Sequence, residues 1–85
     1  MPKVEIYTKS FCPYCVRAKR LLDMRGVAYD EIAIGGDQQA RADMIQRANG
    51  RTTVPQIFVD GRHIGGCDDL FELEQSGRLA ELLAA

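Results

Sequence analysis

Cys12-Pro13-Tyr14-Cys15 stands between a strand-like run, Val4-Glu5-Ile6-Tyr7, and a helix-like run from Val16 to Arg25. Two thiols separated by two residues at a strand-to-helix junction can close on each other with little backbone movement. The pair can therefore cycle between dithiol and disulfide. Pro13 suits the first turn of a helix, because its φ is already helical and the N–H it lacks would have had no partner there. Cys12 then lies at the helix N-terminus, facing unpaired backbone N–H groups and the positive end of the helix dipole, and both stabilise negative charge on sulfur. Between Glu5 and Asp23 the chain carries Lys9, Arg17, Lys19 and Arg20 and no acid. These cations act weakly through water and add to the effect of the helix terminus. Cys15, one turn further on, is expected to be more buried and to hold its proton more tightly. That asymmetry assigns the roles: Cys12 attacks and Cys15 resolves.

Outward from the motif, Val4 and Ile6 give the first strand an apolar face. Ala18, Leu21 and Leu22 form the buried stripe of the helix, which Gly26 stops. Val27 to Ile34 reads as a second strand, parallel to the first through a right-handed crossover. Gly35-Gly36 is a turn. Asp37 caps a second helix with Ala40, Met44, Ile45 and Ala48 on its apolar face, and Asn49-Gly50 ends it. A third strand runs from Gln56 to Val59, and the hairpin signal Asp60-Gly61 returns Arg62-His63-Ile64 antiparallel to it. Gly65-Gly66 breaks that strand. Asp68 or Asp69 caps a third helix carrying Leu70, Phe71 and Leu73, which ends at Gly77, and Leu79, Leu82 and Leu83 set a last short helix against the core. Phe11, Met44 and Phe58 read as packing residues. The order β-α-β-α-β-β-α fits an α/β fold, a four-stranded mixed sheet with helices on both faces. It places the thiols at the C-terminal end of a parallel strand, where open α/β sheets put their chemistry.

Eighty-five residues make one domain, residues 1–85. An apolar fraction of 46%, 27% charged residues and a net charge of −1 argue against disorder and leave no basic footprint for nucleic acid. Three cysteines, an odd number, cannot build the disulfide framework of a small secreted protein. The start, Met1-Pro2-Lys3-Val4-Glu5, lacks the apolar run of a signal peptide, and no apolar run is long enough to span a bilayer. The expectation is a reducing, cytoplasmic setting with no membrane or nucleic-acid partner. In such a setting C-x-x-C is more often catalytic or metal-binding than structural. Cys12, Cys15, Cys67 and His63 are possible zinc ligands. Zinc ribbons and fingers use two close pairs, however, and the second half of the chain has none, so no metal is expected.

Three motifs together are more specific than the thiol pair alone. Cys12-Pro13-Tyr14-Cys15 is followed by Thr53-Val54-Pro55 and, after the hairpin, by Gly65-Gly66-Cys67-Asp68-Asp69-Leu70. In this order and spacing the chain resembles the dithiol glutaredoxins, in particular the small bacterial glutaredoxin 3 type, over essentially its whole length. The resemblance implies a thioredoxin-like fold with Pro55 in a cis peptide bond, although from the residues alone a trans proline opening a strand is the commoner case. It also implies a monomeric, glutathione-dependent thiol–disulfide oxidoreductase, with glutathione as co-substrate.

By the same resemblance, Lys9, Tyr14, Thr53, Val54, Pro55, Gly66, Cys67 and Asp68 bind glutathione. Val54 pairs through its backbone with the cysteine of glutathione, as an added strand does. Lys9 meets a carboxylate, and Arg51 reaches another. Tyr14 flanks the mixed disulfide, and Asp68 meets the γ-glutamyl ammonium. Gly66 and Cys67 offer N–H groups at the start of the third helix, an anion site by construction. Cys12 attacks a glutathione mixed disulfide or a protein disulfide. Free glutathione then resolves the adduct, or Cys15 closes the Cys12–Cys15 disulfide. The second route serves protein disulfides, by resemblance that of ribonucleotide reductase.

Two other readings stand beside this one. A donor of the same fold reduced by thioredoxin reductase is opposed by Asp68 and the intact glutathione positions. A carrier of an iron–sulfur cluster, held between two chains by the first cysteine and glutathione, is opposed by the lack of a Cys-Gly-Phe-Ser motif. His63, the single histidine, reads as a half-exposed strand position, and Cys67 as a packed, mostly inert thiol.

Overall fold

Local chemistry sets most element boundaries in this computed structural model, which describes residues 2–84. Strand β1 (Val4–Thr8) leads into helix α1 (Pro13–Met24), whose N-cap is Cys12 in extended conformation. The Cys12 sulfur accepts the N–H of Cys15 at 3.2 Å, in the place where a cap usually offers a hydroxyl or carboxylate. Helix α1 gives way to Gly26 at a φ of +69°, a conformation that favours glycine. Helix α2 (Gln38–Arg47) is capped by Asp37, whose carboxylate accepts the N–H of Ala40 at 2.9 Å. Strands β3 (Gln56–Val59) and β4 (Arg62–Gly65) join through Asp60 and Gly61, both at positive φ, as a two-residue hairpin requires.

Elsewhere tertiary packing moves the boundaries. Strand β2 (Asp30–Ala33) begins later than Val27, because Val27 and Tyr29 pack against the core ahead of the first ladder pair. Helix α3 (Cys67–Gln75) is capped by Gly66, not by Asp68 or Asp69, which lie inside its first turn. Glycine has no side chain to cap with, so Asp69 reaches back and accepts the Gly66 N–H at 2.9 Å, one half of a capping box. Helix α4 (Arg78–Ala84) buries Leu79 and packs Leu83 on the core, whereas Leu82 lines a cleft beside β4. Phe11 is no packing residue: its side chain is fully exposed.

The sheet runs β2-β1-β3-β4, with β1 parallel to β2 and antiparallel to β3, and β3 antiparallel to β4. Pairing Val4 with Val59 and Ile6 with Ile57 sets four branched side chains on one face, against Leu21 and Leu22 of α1, Leu70 of α3 and Leu79 of α4. The other face presents Tyr7 and Phe58 to Met44 and Ala48, on the α2 side. Arg47, in the last turn of α2, lies 4.1 Å from the centre of the Phe58 ring and donates to Glu5 at 2.8 Å and to the Tyr7 hydroxyl at 2.9 Å. The Arg47 guanidinium holds the Glu5 carboxyl below the usual range, and this clamp fixes α2 to the sheet. Helices on both faces of a four-stranded mixed sheet make the fold thioredoxin-like. Its register sets up the site: Tyr7 faces Gln56, so the loop leaving β1 and the loop entering β3 meet at one end of the sheet.

Candidate active site

Cys12 is half-buried at the start of α1, and Cys15 is 1% exposed; both are free thiols. Besides accepting the Cys15 N–H, the Cys12 sulfur lies 3.8 Å from the Val54 carbonyl oxygen, across 42 residues of sequence. An amide donor and the N-terminus of α1 are therefore both aimed at this one sulfur. Burial, and next the hydrogen bond with Cys12, push the Cys15 thiol up to about 12. The two sulfurs thus differ in burial as their positions implied, Cys12 half-buried and Cys15 almost wholly buried.

On the far side of Val54 from the Cys12 sulfur opens a cavity of about 240 Å³ lined by Tyr14, Arg51, Thr53, Val54, Pro55 and residues 66–69. The Val54–Pro55 bond is cis, as the resemblance implied. Gly66 lets the β4–α3 turn approach this loop, since a Cβ there would stand 3.3 Å from the Pro55 carbonyl oxygen. Gly65, at a φ of +121°, leaves room for Asp69, whose Oδ2 would lie 2.3 Å from an added Cβ. The Asp69 carboxylate accepts the Gly66 N–H and the Arg51 guanidinium, the latter at 3.0 Å. The backbone N–H first, with Arg51 also contributing, holds its carboxyl below the usual range against the opposing effect of burial.

A buried amide fixes the loop from beneath. Gln56 is wholly buried, and its NH₂ donates to the Thr53 carbonyl at 3.0 Å and to the Thr53 hydroxyl at 3.3 Å. Its Oε1 lies 2.7 Å from Nε2 of His63, which is therefore the donor in that pair. Burial, and then the Arg51 charge, push the His63 imidazole down, consistent with a neutral ring. His63 also lies against the Phe58 ring at 5.1 Å. It is a half-buried strand residue tied into the support of the loop.

Tyr14, Thr53, Val54, Pro55, Gly66, Cys67 and Asp68 line the one cavity. Lys9 does not. It stands exposed on the other side of Cys12, lining cavities shared with residues 34–38 and with Phe11 and Cys15. The Gly66 N–H is already engaged by Asp69, which leaves anion capture at this helix start to Cys67 and the residue after it. Cys67 is 7% exposed and burial pushes its thiol up, the state of a packed cysteine. Sequence reasoning passed over Gln56, although a lone amide opening an otherwise apolar strand was the available signal. The sequence marks Asp69 only as a cap, and its pairing with Arg51 depends on the turn that joins them. Among the described residues no three side chains of ligating type gather to hold a metal ion, and no helix is long and apolar enough to cross a membrane.

A family model described as Glutaredoxin matches residues 4–64. The chain is 58% identical over 83 residues to Glutaredoxin 3 of Escherichia coli (strain K12), covering 98% of this chain and 99% of that protein. It is 53% identical over 85 residues to a glutaredoxin of Pseudomonas aeruginosa, with both chains covered in full. The solution structure of glutaredoxin from Brucella melitensis superposes with a TM-score of 0.85 at 49% identity, over 98% of this chain and 89% of that one. The crystal structure of a buckwheat glutaredoxin–glutathione complex does so with a TM-score of 0.88 at 34% identity, over 98% and 77% respectively.

Proposed function

The chain belongs to the glutaredoxin family and is a thiol–disulfide oxidoreductase, and on that premise we propose that glutathione is its reductant, with Cys12 as nucleophile and Cys15 as resolving thiol. One observation carries the reading: the cavity between Tyr14, the Thr53–Pro55 loop and the start of α3 opens across Val54 from the Cys12 sulfur, which lies 3.8 Å from the Val54 carbonyl. The buckwheat neighbour, solved as a complex with glutathione, supports it.

In this reading the main chain of Val54 pairs with that of the glutathione cysteine, and the cis-proline loop, held by Gln56, keeps that edge in place. The exposed Asp68 carboxylate faces the γ-glutamyl ammonium. A glutathione carboxylate meets the N–H groups at the start of α3, Gly66 contributing the close approach of the turn. Arg51, oriented by Asp69, and Lys9, from the far side of Cys12, address the remaining negative charge. Tyr14 covers the sulfurs, and Thr53, Pro55 and Cys67 complete the wall.

The Cys12 thiolate attacks the glutathione sulfur of a mixed disulfide. That S–S bond breaks, the substrate leaves as a thiolate and takes a proton from water, and a Cys12–glutathione disulfide remains. A second glutathione attacks the glutathione sulfur of the adduct, releasing glutathione disulfide and the Cys12 thiolate. With a protein disulfide, such as that of ribonucleotide reductase, Cys12 joins one protein sulfur and Cys15 then attacks Cys12, releasing the protein dithiol. Two glutathiones reduce the resulting Cys12–Cys15 bond. The protein acts in this way as a monomer in the cytoplasm, without a resident metal.

The test is turnover of a small glutathione mixed disulfide coupled to glutathione reductase and NADPH. Cys12→Ser is expected to fall to background and Cys15→Ser to stay active. Silence of the wild type there, with activity restored by thioredoxin reductase, would remove the roles of Lys9, Val54 and Asp68.

A further inference from the structure

Phe11, the residue before the nucleophile, combines two unfavourable features. Its φ of +58° holds a bulky residue in the left-handed region, at a cost of about 1 kcal/mol or more. Its side chain is also 104% exposed, so no packing offsets that cost. Val16, one turn along α1 from Cys12, is 48% exposed. Phe11, Val16 and Ala33 line a cavity of about 210 Å³ whose wall includes both Cys12 and Cys15. It lies across Cys12 from the glutathione groove: one is walled by Arg51, residues 53–55 and residues 66–69, the other by residues 8–11, Glu31 and Ala33.

We propose that Phe11 and Val16 form a docking surface for the polypeptide on either side of the cysteine in disulfide-bonded protein substrates, with Phe11 selecting partners that carry an aliphatic or aromatic residue beside that cysteine. The proposal rests on Cys12 being the nucleophile. A disulfide brings the two Cα atoms within about 4.4–6.8 Å. A protein joined to Cys12 therefore sets the neighbours of its own cysteine next to residues 11 and 16. Glutathione, a tripeptide seated along Val54, has no chain left to reach them.

Charge narrows the partner further. Lys9 and Lys19 line this surface, and Lys9 is exposed. Glu31, the one carboxylate lining the cavity among the described residues, is engaged by Lys19 at 3.0 Å and by the Thr8 hydroxyl at 2.7 Å. The surface stays basic, and the segment it fits is acidic with an apolar residue beside its cysteine. In the docked complex the Cys12 thiolate attacks the nearer partner sulfur, and the partner's S–S bond breaks as the new one forms. The other partner cysteine leaves as a thiolate that takes a proton from water.

Two acidic disulfide-bonded peptides, differing only by leucine or serine beside the attacked cysteine, test this in single turnovers with fully reduced protein and no glutathione. Wild type is expected to react about fivefold faster with the leucine peptide, the size of effect that partial burial of one leucine gives. Phe11→Ser, at a fully exposed position, is expected to erase that preference while turning over a small glutathione mixed disulfide at the wild-type rate. No preference in wild type, a preference that survives Phe11→Ser, or an equal loss on all substrates would overturn the proposal. Failure of wild type on the glutathione substrate alone, with the peptide preference intact, would instead sink the glutathione reading and leave this one standing.

Discussion

The two flanks of Cys12 are made of opposite materials. On the groove side the frame of the wall is main chain and small residues, with Tyr14 and Asp68 at its rim: a cis-proline loop tied by a buried amide, two consecutive glycines, and a carboxylate bonded to backbone and to Arg51. On the other side the wall is side chain: an exposed phenylalanine, a half-exposed valine and two lysines. A fixed main-chain wall recognises what never varies in a ligand, whereas exposed side chains register what differs from one partner to the next. One sulfur placed between them can serve one constant reductant and several changing substrates.

The contrast can be broken most severely at Gly65. Gly65→Ala forces a side chain into a φ of +121° and brings its Cβ to 2.3 Å from Asp69. It is expected to cost about 2–4 kcal/mol in urea unfolding and to raise the KM for glutathione. A loss under about 0.5 kcal/mol would mean that the turn yields and the groove is not rigid.

A smaller effect is expected from Asp69→Asn, which keeps an acceptor for the Gly66 N–H but loses the ion pair with Arg51. Both partners are partly exposed, so the loss at neutral pH is at most about 1 kcal/mol. The sign follows from the fold holding the Asp69 carboxyl below its usual 3.8. The stabilisation is whole above that pH and disappears as pH falls through the lower folded value. Melting temperatures of the two proteins should therefore differ at pH 7 and converge in strong acid. A difference independent of pH would assign the effect to packing instead.

The smallest change carries the opposite sign. Phe11→Asn, which tolerates the left-handed region better, is expected to stabilise by about 0.5 kcal/mol. Calorimetry that showed a loss would mean that the ring packs on the protein in solution, and the two flanks would no longer be opposites.

What could be read in advance follows the range of the interaction. Pro13, Asp37 and Asp60-Gly61 act on their own neighbours, and each set its element where expected. The difference in burial between the two thiols was legible for the same reason, since one turn of helix separates the two residues. Where β2 begins, which residue caps α3 and where Phe11 points were not. Val27 and Tyr29 answer to the core, the α3 cap to a glycine turn closed by a carboxylate further on, and Phe11 to a backbone twist that the loop imposes. Most of the groove was found through three motifs held together by resemblance. The amide of Gln56, linking Thr53 on one side to His63 on the other, belonged to no motif.

The pairing of Tyr7 with Gln56 also has a meaning in time. A growing chain that has left the ribosome only as far as Gly50 already carries both thiols and the helix that holds them. It has β2 on one side of β1 but neither β3 on the other nor the loop that faces the sulfur. Nucleophile and groove meet only after a contact across 42 residues closes, and contacts of that span form late compared with single helices. During synthesis, then, an ungrooved dithiol precedes the selective one, and the chain from Arg51 onward turns generic thiol chemistry into recognition.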